Sequence, residues 1–291
     1  MTEKIEFRQR REFGDIISVT FTYMRQNFST LGIGILYVGV PLSLLQGIVA
    51  ALYQRAVTSA QDSTDPFKIL TSVFGAEFLL TLALSLLLYA GIMGVVFAHV
   101  LRYISESDRT PIQPSDLVSD MFSNAPLILI TTFGLGMIIF ALAIPSVFLL
   151  FIPVIYISIS TSPMLFVRLY EKSDFFAAFS RSFKLVQGRW WQVFGAIVTL
   201  YLIGIIISFA FSLPNMIVSF IIGLNTGSGK APDYAILSAV TGAISSFGSV
   251  IYYALISIGI AFIYFDLVER KESSGLMARI EKIADLPSNL S

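Results

Sequence analysis

The 291-residue sequence contains no cysteine and a single histidine, His99. Without cysteine there are no disulfides, no thiol chemistry and no cysteine-ligated metal. One histidine excludes any metal site or catalytic triad that requires two or more imidazoles. The sequence also lacks a phosphate-binding glycine loop and a helix with paired glutamates. We therefore expect no enzymatic activity, no metal and no cofactor.

Charged residues are also scarce, at 13% of the chain, whereas a soluble domain has about a quarter. Apolar residues account for 55%, and their long runs predict an all-α, polytopic membrane protein. The 19 basic and 19 acidic residues give a net charge of zero. Charge therefore gives no support for a nucleic-acid partner. The expected partners are membrane lipids and another membrane protein, and no pattern in the sequence sets an oligomeric state.

Six apolar segments are long enough to cross a bilayer core, which takes about 20 residues. They are residues 31–53, 78–101, 126–143, 147–167, 191–213 and 239–264. The third and fourth are inferred from an uncharged stretch long enough for two crossings, with the turn expected near Ala143 to Ser146. Residues 1–30 precede this 31–269 membrane domain, and an amphipathic tail, 270–291, follows it. Residues 214–224 are too short to cross, and either extend span five or lie at the surface.

The clearest local pattern is a surface helix that leads into a span. Between residues 174 and 187 the phenylalanines share one face of a helix and the cations share the other. Such a helix is typical of one lying flat on a membrane with its aromatic side down, and two tryptophans follow as headgroup anchors. The residues expected to contact anionic lipid headgroups are Arg181, Lys184, Arg189, Trp190 and Trp191. The usual excess of cations on the cytoplasmic side explains the three cations equally well.

The order surface helix, span, span occurs three times, beginning near Phe13, Ser115 and Ser173. Repeats of the same orientation are related by an axis along the membrane normal. The alternative is that each odd-numbered span carries an unrelated amphipathic lead-in. Either way, we expect three surface helices on the cytoplasmic side.

The basic residues are distributed unequally between the two sides of the predicted membrane. Only Arg55, Lys68 and Lys230 fall on one side, and the other 16 of the 19 basic residues fall on the opposite side. The positive-inside rule therefore predicts that both termini are cytoplasmic, in the inner membrane of a bacterium. The charged start of the chain does not resemble a signal peptide, so we expect it to remain on the mature protein.

Few polar residues lie in or beside the spans. Glu77 lies at the outer start of span two. A carboxylate costs less at the level of the headgroups than deep in the bilayer, so we expect Glu77 at headgroup level rather than at a functional site inside the membrane. His99 precedes Arg102 by one turn and is expected at the interface rather than in a proton relay. Together with Gln46 in span one, these residues form a candidate intramembrane polar site. Asp266 and Arg270 are four residues apart, and are predicted to pair at the end of span six.

Three stretches carry a resemblance: EFGDIISVTFTYMRQNFSTL (12–31), FSRSFKLVQGRWWQVFG (179–195) and YFDLVERKESSGLMARIEKI (264–283). They resemble a broad group of six-span bacterial membrane proteins. The group includes the membrane domain attached to some glycerophosphoryl diester phosphodiesterases, and stand-alone relatives, of which those from Bacteroidetes are most similar. The resemblance implies a six-helix bundle with surface helices and an accessory membrane role. It does not imply hydrolysis, because in the fused relatives that activity belongs to a separate soluble barrel with several histidines around a metal.

Two functions agree with these features. The first is a non-enzymatic scaffold or accessory subunit that binds lipid and a membrane partner. The second is a transporter for a lipid or an amphipathic small molecule, indicated by proline-bent spans and the threefold order. A cavity near mid-bilayer lined by Glu77 or Gln46 favours the transporter, whereas a tightly packed interior with apolar outer faces favours the scaffold.

The predicted orientation is testable with topology reporters. Because both termini are expected in the cytoplasm, a fluorescent protein that folds only there should fluoresce at either end. Alkaline phosphatase, which is active only outside, should be active when fused after Lys230 and inactive when fused after Lys172. Activity after Lys172, or fluorescence at only one terminus, contradicts the orientation.

Overall fold

The computed structural model describes residues 4–60, 65–105, 112–226 and 234–272. Within these ranges the chain is helical and contains no strand, which confirms the predicted all-α class. The helices are α1 (Phe13–Gln26), α2 (Phe28–Ala60), α3 (Pro66–Val73), α4 (Ala76–Ser105), α5 (Pro114–Ser123), α6 (Ala125–Phe148), α7 (Ile152–Thr161), α8 (Met164–Glu171), α9 (Phe175–Val186), α10 (Trp190–Thr226) and α11 (Ala235–Glu272). Six segments are long and apolar enough to cross a membrane: Phe28–Ala60, Ile69–Ser105, Ala125–Ala143, Ile152–Glu171, Trp190–Leu224 and Ala235–Glu272. The protein is therefore polytopic, and most of the predicted amphipathic tail lies outside the described residues.

The structure settles one open boundary and moves another. Residues 214–224 belong to α10 and so extend span five, one of the two alternatives that the sequence leaves open, because Pro214 lies inside that helix without ending it. The turn between α6 and α7 lies at residues 149–151, not near Pro145, which α6 also accommodates. The prediction relied on Pro145 as its turn signal, and residues 147–152, which hold the true turn, contain neither glycine nor a polar residue.

The three longest helices are α2, α10 and α11, with 33, 37 and 38 residues. At 1.5 Å per residue they are about 50, 55 and 57 Å long, well beyond the roughly 30 Å of a hydrocarbon core. Prolines within α2 and α10 remove single backbone hydrogen bonds but leave both helices continuous.

The helices form three units with the predicted order, residues 13–105, 114–171 and 175–272. Each unit has a surface helix (α1, α5 or α9), an outer span (α2, α6 or α10) and an inner span (α4, α7–α8 or α11). The surface helix of each unit packs on the spans of the preceding unit: α5 on α2 and α4, α9 on α7 and α8, and α1 on α10 and α11. This closed ring of contacts supports a threefold repeat.

A glycine of the outer span lies under the surface helix at each of these three junctions. Leu117 of α5 contacts Gly34 of α2, Phe175 of α9 contacts Gly134 of α6, and Phe13 of α1 contacts Gly195 of α10. The missing side chain lets a large apolar residue approach the outer span closely. The surface helices are therefore docked on protein as well as being amphipathic.

The most buried parts of the fold are the C-terminal halves of the inner spans. Phe166 of α8 lies between Phe97 of α4 and Phe265 of α11, with ring centroids 5.0 and 5.6 Å away. The outer spans contribute fewer buried residues and expose large apolar side chains. We call the end of the bundle at which the inner spans finish the charged end, and the opposite end the loop end.

Small residues near the start of α11 pack against α2. A side chain at Gly47 would place its Cβ 2.4 Å from the carbonyl oxygen of Ala239 and 2.6 Å from the amide nitrogen of Ala243. Only glycine permits this approach of two helix backbones.

The substitution Gly47→Ala should therefore destabilise the bundle by about 1 to 3 kcal/mol, because the methyl group meets backbone atoms that cannot move independently. The matched control is Gly136→Ala in α6, whose Cβ meets nothing within 4 Å. This control should be neutral or gain up to about 1 kcal/mol from reduced backbone freedom. Thermal unfolding in detergent, followed by circular dichroism, measures both. Equal stability of the two variants contradicts the close contact.

Candidate functional site at the charged end

Residues 4–12 lie across the charged end of the bundle, and we call them the N-terminal plug. Phe7 is only 4% exposed and stacks on Phe262 of α11 with a centroid distance of 4.5 Å. Its edges meet Tyr23 of α1 at 5.5 Å and Tyr103 of α4 at 5.7 Å. One aromatic ring from the chain start therefore contacts two inner spans and one surface helix.

Hydrogen bonds connect the same segment to the inner spans. The amide of Ile5 donates to the hydroxyl of Tyr103 at the end of α4, at 2.9 Å. The guanidinium of Arg8 donates to the hydroxyl of Tyr170 at the end of α8, at 2.6 Å. With Phe7 against α11, the plug contacts the C-terminal ends of all three inner spans.

A buried ionic network holds the other end of the plug. The amide of Arg11 donates to Oδ1 of Asp266 at 2.7 Å, and Nε of Arg270 donates to the same oxygen at 2.8 Å. Arg270 also donates from Nη2 to the carbonyl oxygen of Arg11, at 2.6 Å. The predicted pair of Asp266 and Arg270 is thus present, and its second role, anchoring the chain start, was not predicted.

The side chain of Arg11 is buried under the plug. Its guanidinium donates to the carbonyl oxygens of Phe7 and Glu6 and lies over the ring of Phe262, 5.1 Å from the centroid. Burial lowers the pKa of Arg11, and the nearby carboxylate of Asp266 opposes that shift. An arginine starts from so high a pKa that Arg11 remains charged at physiological pH.

His99 lies directly beneath the plug, inside the protein. Its Nδ1 is 2.6 Å from the hydroxyl of Tyr23, and both residues are buried. Burial raises the pKa of Tyr23 well above its ordinary value, so the phenol keeps its proton and can donate it to a neutral imidazole. His99 is therefore covered by α1 within the protein, and its expected level at the membrane interface stays a prediction.

The predicted lipid-contacting residues occupy different environments. Arg181 forms ion pairs with Glu171 at 3.2 Å and Glu272 at 2.5 Å, so its charge is already compensated within the protein. Lys184 is exposed, and its carbonyl oxygen accepts a hydrogen bond from the ammonium group of Lys271. The buried face of α9 consists of Ala178, Ser182, Leu185 and Val186 and packs on the protein. The phenylalanines flank this face, so they are only partly free to face a membrane.

The two tryptophans at the start of α10 differ in their exposure. Trp190 is half-buried and stacks on Phe194 and on Tyr156 of α7, at 5.1 and 5.7 Å. Trp191 is 77% exposed. Arg189 is exposed and donates to the side chain of Gln192, at 2.9 Å. Only Lys184, Arg189 and Trp191 therefore remain available to a headgroup.

The residues of the candidate intramembrane site do not meet. Gln46 of α2 donates to Ser85 of α4, at 2.6 Å, while its buried Oε1 and the nearby hydroxyl of Ser43 have no hydrogen-bond partner among the described residues. His99 follows Ser85 by 14 residues on α4, or about 21 Å. Glu77 is half-buried in the first turn of α4. It precedes Ser85 by eight residues, or about 12 Å along the helix.

Three of the cavities that border the described bundle are lined as follows, and neither Glu77 nor Gln46 lines these three. An apolar groove of about 380 Å³ lies between the start of α2 and the middle of α11, beside Met24 of α1. A polar cleft of about 370 Å³ lies between α2, α10 and α11 near the loop end. An open groove of about 720 Å³ separates the N-terminal plug from α1.

A scan against protein-family models, a search of curated proteins and a search of solved structures each find no match to this chain. The resemblance to the phosphodiesterase-associated membrane domain therefore stays a prediction.

The plug was missed by sequence reasoning, although one signal was present. Ile5 and Phe7 are the only large apolar residues in an otherwise polar and charged start, and their spacing of two suits an extended segment with one buried side. Their partners on the inner spans are more than 90 residues away, and no local pattern indicates such contacts.

Truncating Phe7 tests the plug. Phe7→Ala should empty a packed aromatic site, which costs about 3 to 5 kcal/mol when the surroundings do not collapse, and should release the chain start before the bundle unfolds. Trypsin should then cleave after Arg8 and Arg10 several times faster than in the unaltered protein. The matched control is Phe28→Ala, because Phe28 is 71% exposed. Unchanged cleavage in Phe7→Ala contradicts the docking of the plug.

Proposed function

We propose that the protein is a non-enzymatic scaffold or accessory subunit of the bacterial inner membrane that binds lipid and a membrane partner, with both termini in the cytoplasm. The observation that carries this proposal is the packing where the inner spans meet. Phe97, Phe166 and Phe265 fill that space, and Phe7 covers it at the charged end. A rigid, filled centre suits a protein that holds others in place.

Lipid binding is supported by the apolar groove between α1, α2 and α11. Among its lining residues only Ser29 has a polar side chain, so the groove suits an acyl chain. Arg25 is exposed and immediately follows Met24, which lines the groove. A cation beside an apolar groove fits an anionic phospholipid, at about 1 kcal/mol for each basic residue near the surface.

Partner binding is supported by the outer spans. Large apolar side chains are exposed along α6 and α10, among them Met137, Phe140, Ile206 and Phe220. In a membrane protein such faces contact either lipid or another helix bundle. Most of α10 faces away from the rest of the bundle, which leaves it accessible to a membrane partner.

The polar cleft near the loop end favours the second candidate, a transporter for a lipid or amphipathic molecule. It is lined by amide and hydroxyl side chains from three helices, including Gln54, Thr58, Asn215, Ser219 and Ser238. These uncharged groups suit a headgroup with several hydroxyls. The cleft reaches neither the groove nor the plug through any residue that lines it, which is why transport ranks second.

Purification in mild detergent, with mass spectrometry of the retained lipids and proteins, tests the scaffold. Gly32 lines the groove and a Cβ on it meets nothing within 4 Å, so Gly32→Leu should fill the groove and lower the retained anionic phospholipid several-fold. Gly136→Leu, on an equally open glycine outside the groove, should retain it. Equal lipid in both variants contradicts lipid binding at the groove.

Reconstitution separates the two functions. A scaffold should move labelled phospholipid between leaflets no faster than protein-free vesicles do. Transport that is faster than in those vesicles and is abolished by Asn215→Leu establishes the transporter and overturns the scaffold.

A further inference from the structure

The turn between α6 and α7 is unusual for a connection between two membrane spans. Residues 147–152 are Val, Phe, Leu, Leu, Phe and Ile, and all are exposed. Phe148 is 86% exposed and Leu150 is 79% exposed. The links that join the other outer and inner spans contain charged and polar residues. A turn that emerged among headgroups or in water would expose a large apolar surface there, at a considerable cost.

The backbone amides of this turn are paired within it. Leu150 and Phe151 adopt left-handed conformations, with φ of 51° and 60°. Leu150 nevertheless donates to the carbonyl of Val147 at 3.3 Å, and Phe151 to that of Ser146 at 2.7 Å. The flanking amides of Leu149 and Ile152 are paired as well. Because an unpaired backbone group in hydrocarbon is costly, these four hydrogen bonds lower the cost of placing the turn at membrane depth.

Tyr156 determines how far the turn lies from the charged end. Its carbonyl oxygen is 3.4 Å from the indole nitrogen of Trp190, and the two rings stack. Trp190 begins α10 beside Arg189, and Gln192, two residues further on, donates to the carbonyl of Arg11 in the ionic network. Tyr156 therefore lies within one side-chain length of the charged end.

The remaining distance is too short for a crossing. Leu150 precedes Tyr156 by six residues, or about 9 Å of helix. The contact between Tyr156 and Trp190 spans at most one helix diameter, about 10 Å. Leu150 is therefore at most about 19 Å from the start of α10. A hydrocarbon core is about 30 Å thick. The turn therefore stops inside it.

The neighbouring helix gives the same result independently. The hairpin of α6 with α7–α8 lies alongside α9: Phe175 at the start of α9 packs on Gly134 of α6, and Phe183 near its end contacts Tyr156. α9 carries Arg181 and Lys184 and is followed by Arg189, so it stays at the membrane surface along its whole length. A hairpin that keeps contact with both ends of a surface helix is strongly inclined to the membrane normal.

We propose that the α6–α7 hairpin enters only the leaflet at the charged end, and that its apolar turn is covered by the acyl chains of that leaflet. Length and composition allow six segments to cross, but these contacts leave four complete crossings: α2, α4, α10 and α11. Because a re-entrant hairpin begins and ends on the same side, the termini still share one face. The interaction surface is residues 147–152, and its partner is the interior of a single leaflet.

The absence of native cysteine makes the proposal directly testable by spin labelling of the full chain. Single variants Leu150→Cys, Val40→Cys and Asp65→Cys are reconstituted in vesicles of phosphatidylethanolamine and phosphatidylglycerol at three to one. Val40 is a lipid-exposed position 12 residues into α2, about 18 Å along it. Asp65 is exposed just before α3, beyond the loop end of α2 and outside the apolar segment Ile69–Ser105. Accessibility to oxygen and to a water-soluble nickel complex gives the depth of each label.

The label at Leu150 should be accessible to oxygen and protected from nickel, as the Val40 label is, whereas the Asp65 label should be accessible to nickel. Nickel accessibility of the Leu150 label equal to that at Asp65 overturns the proposal, whichever side of the membrane the nickel reaches it from. Phe148→Cys provides a second label on the same turn if Leu150→Cys does not fold. The result is independent of the proposed scaffold function, which neither outcome affects.

Discussion

The structure depends on the meeting of three aromatic side chains, one from each inner span. Phe166 occupies the centre, between Phe97 and Phe265, and each of these residues lies in the last third of its span. Aromatic pairs in this geometry add about 0.5 to 1.5 kcal/mol to the area they bury. Because lipid offers no hydrophobic driving force between helices, packing of this kind has to hold the units together. The surface helices, the plug and the ionic network are all arranged around it.

The ring of surface helices follows from that centre. Once the inner spans converge, each surface helix reaches the spans of the preceding unit, where a glycine of the outer span receives it. α1 closes the ring by packing on α10 and α11. The first and last parts of the chain are thus joined, and Asp266 strengthens this junction by accepting hydrogen bonds from both. Closure depends on contacts between residues more than 250 positions apart.

Helix class, the number of segments long and apolar enough to cross a membrane, and most boundaries were predictable because they depend on local composition and length. Asp266 and Arg270 were also predictable, since their spacing of four is a local property of a helix. The environment of His99 was not, because Tyr23, which bonds to it and itself packs against Phe7, comes from a distant part of the sequence. The pairing of Arg181 with Glu272 escaped prediction for the same reason. The turn at Leu150 escaped because an apolar turn inside lipid carries none of the glycine or polar signals of a turn in water.

The great length of α10 and α11 has a consequence for the surrounding bilayer. The segment Trp190–Leu224 contains no charged residue along 35 positions, or about 52 Å. Hydrophobic mismatch on this scale is relieved by a steep lean of the helices or by stretching of nearby acyl chains. Thick, ordered membrane regions reduce that strain, so lateral sorting should concentrate the protein there even without a specific lipid ligand.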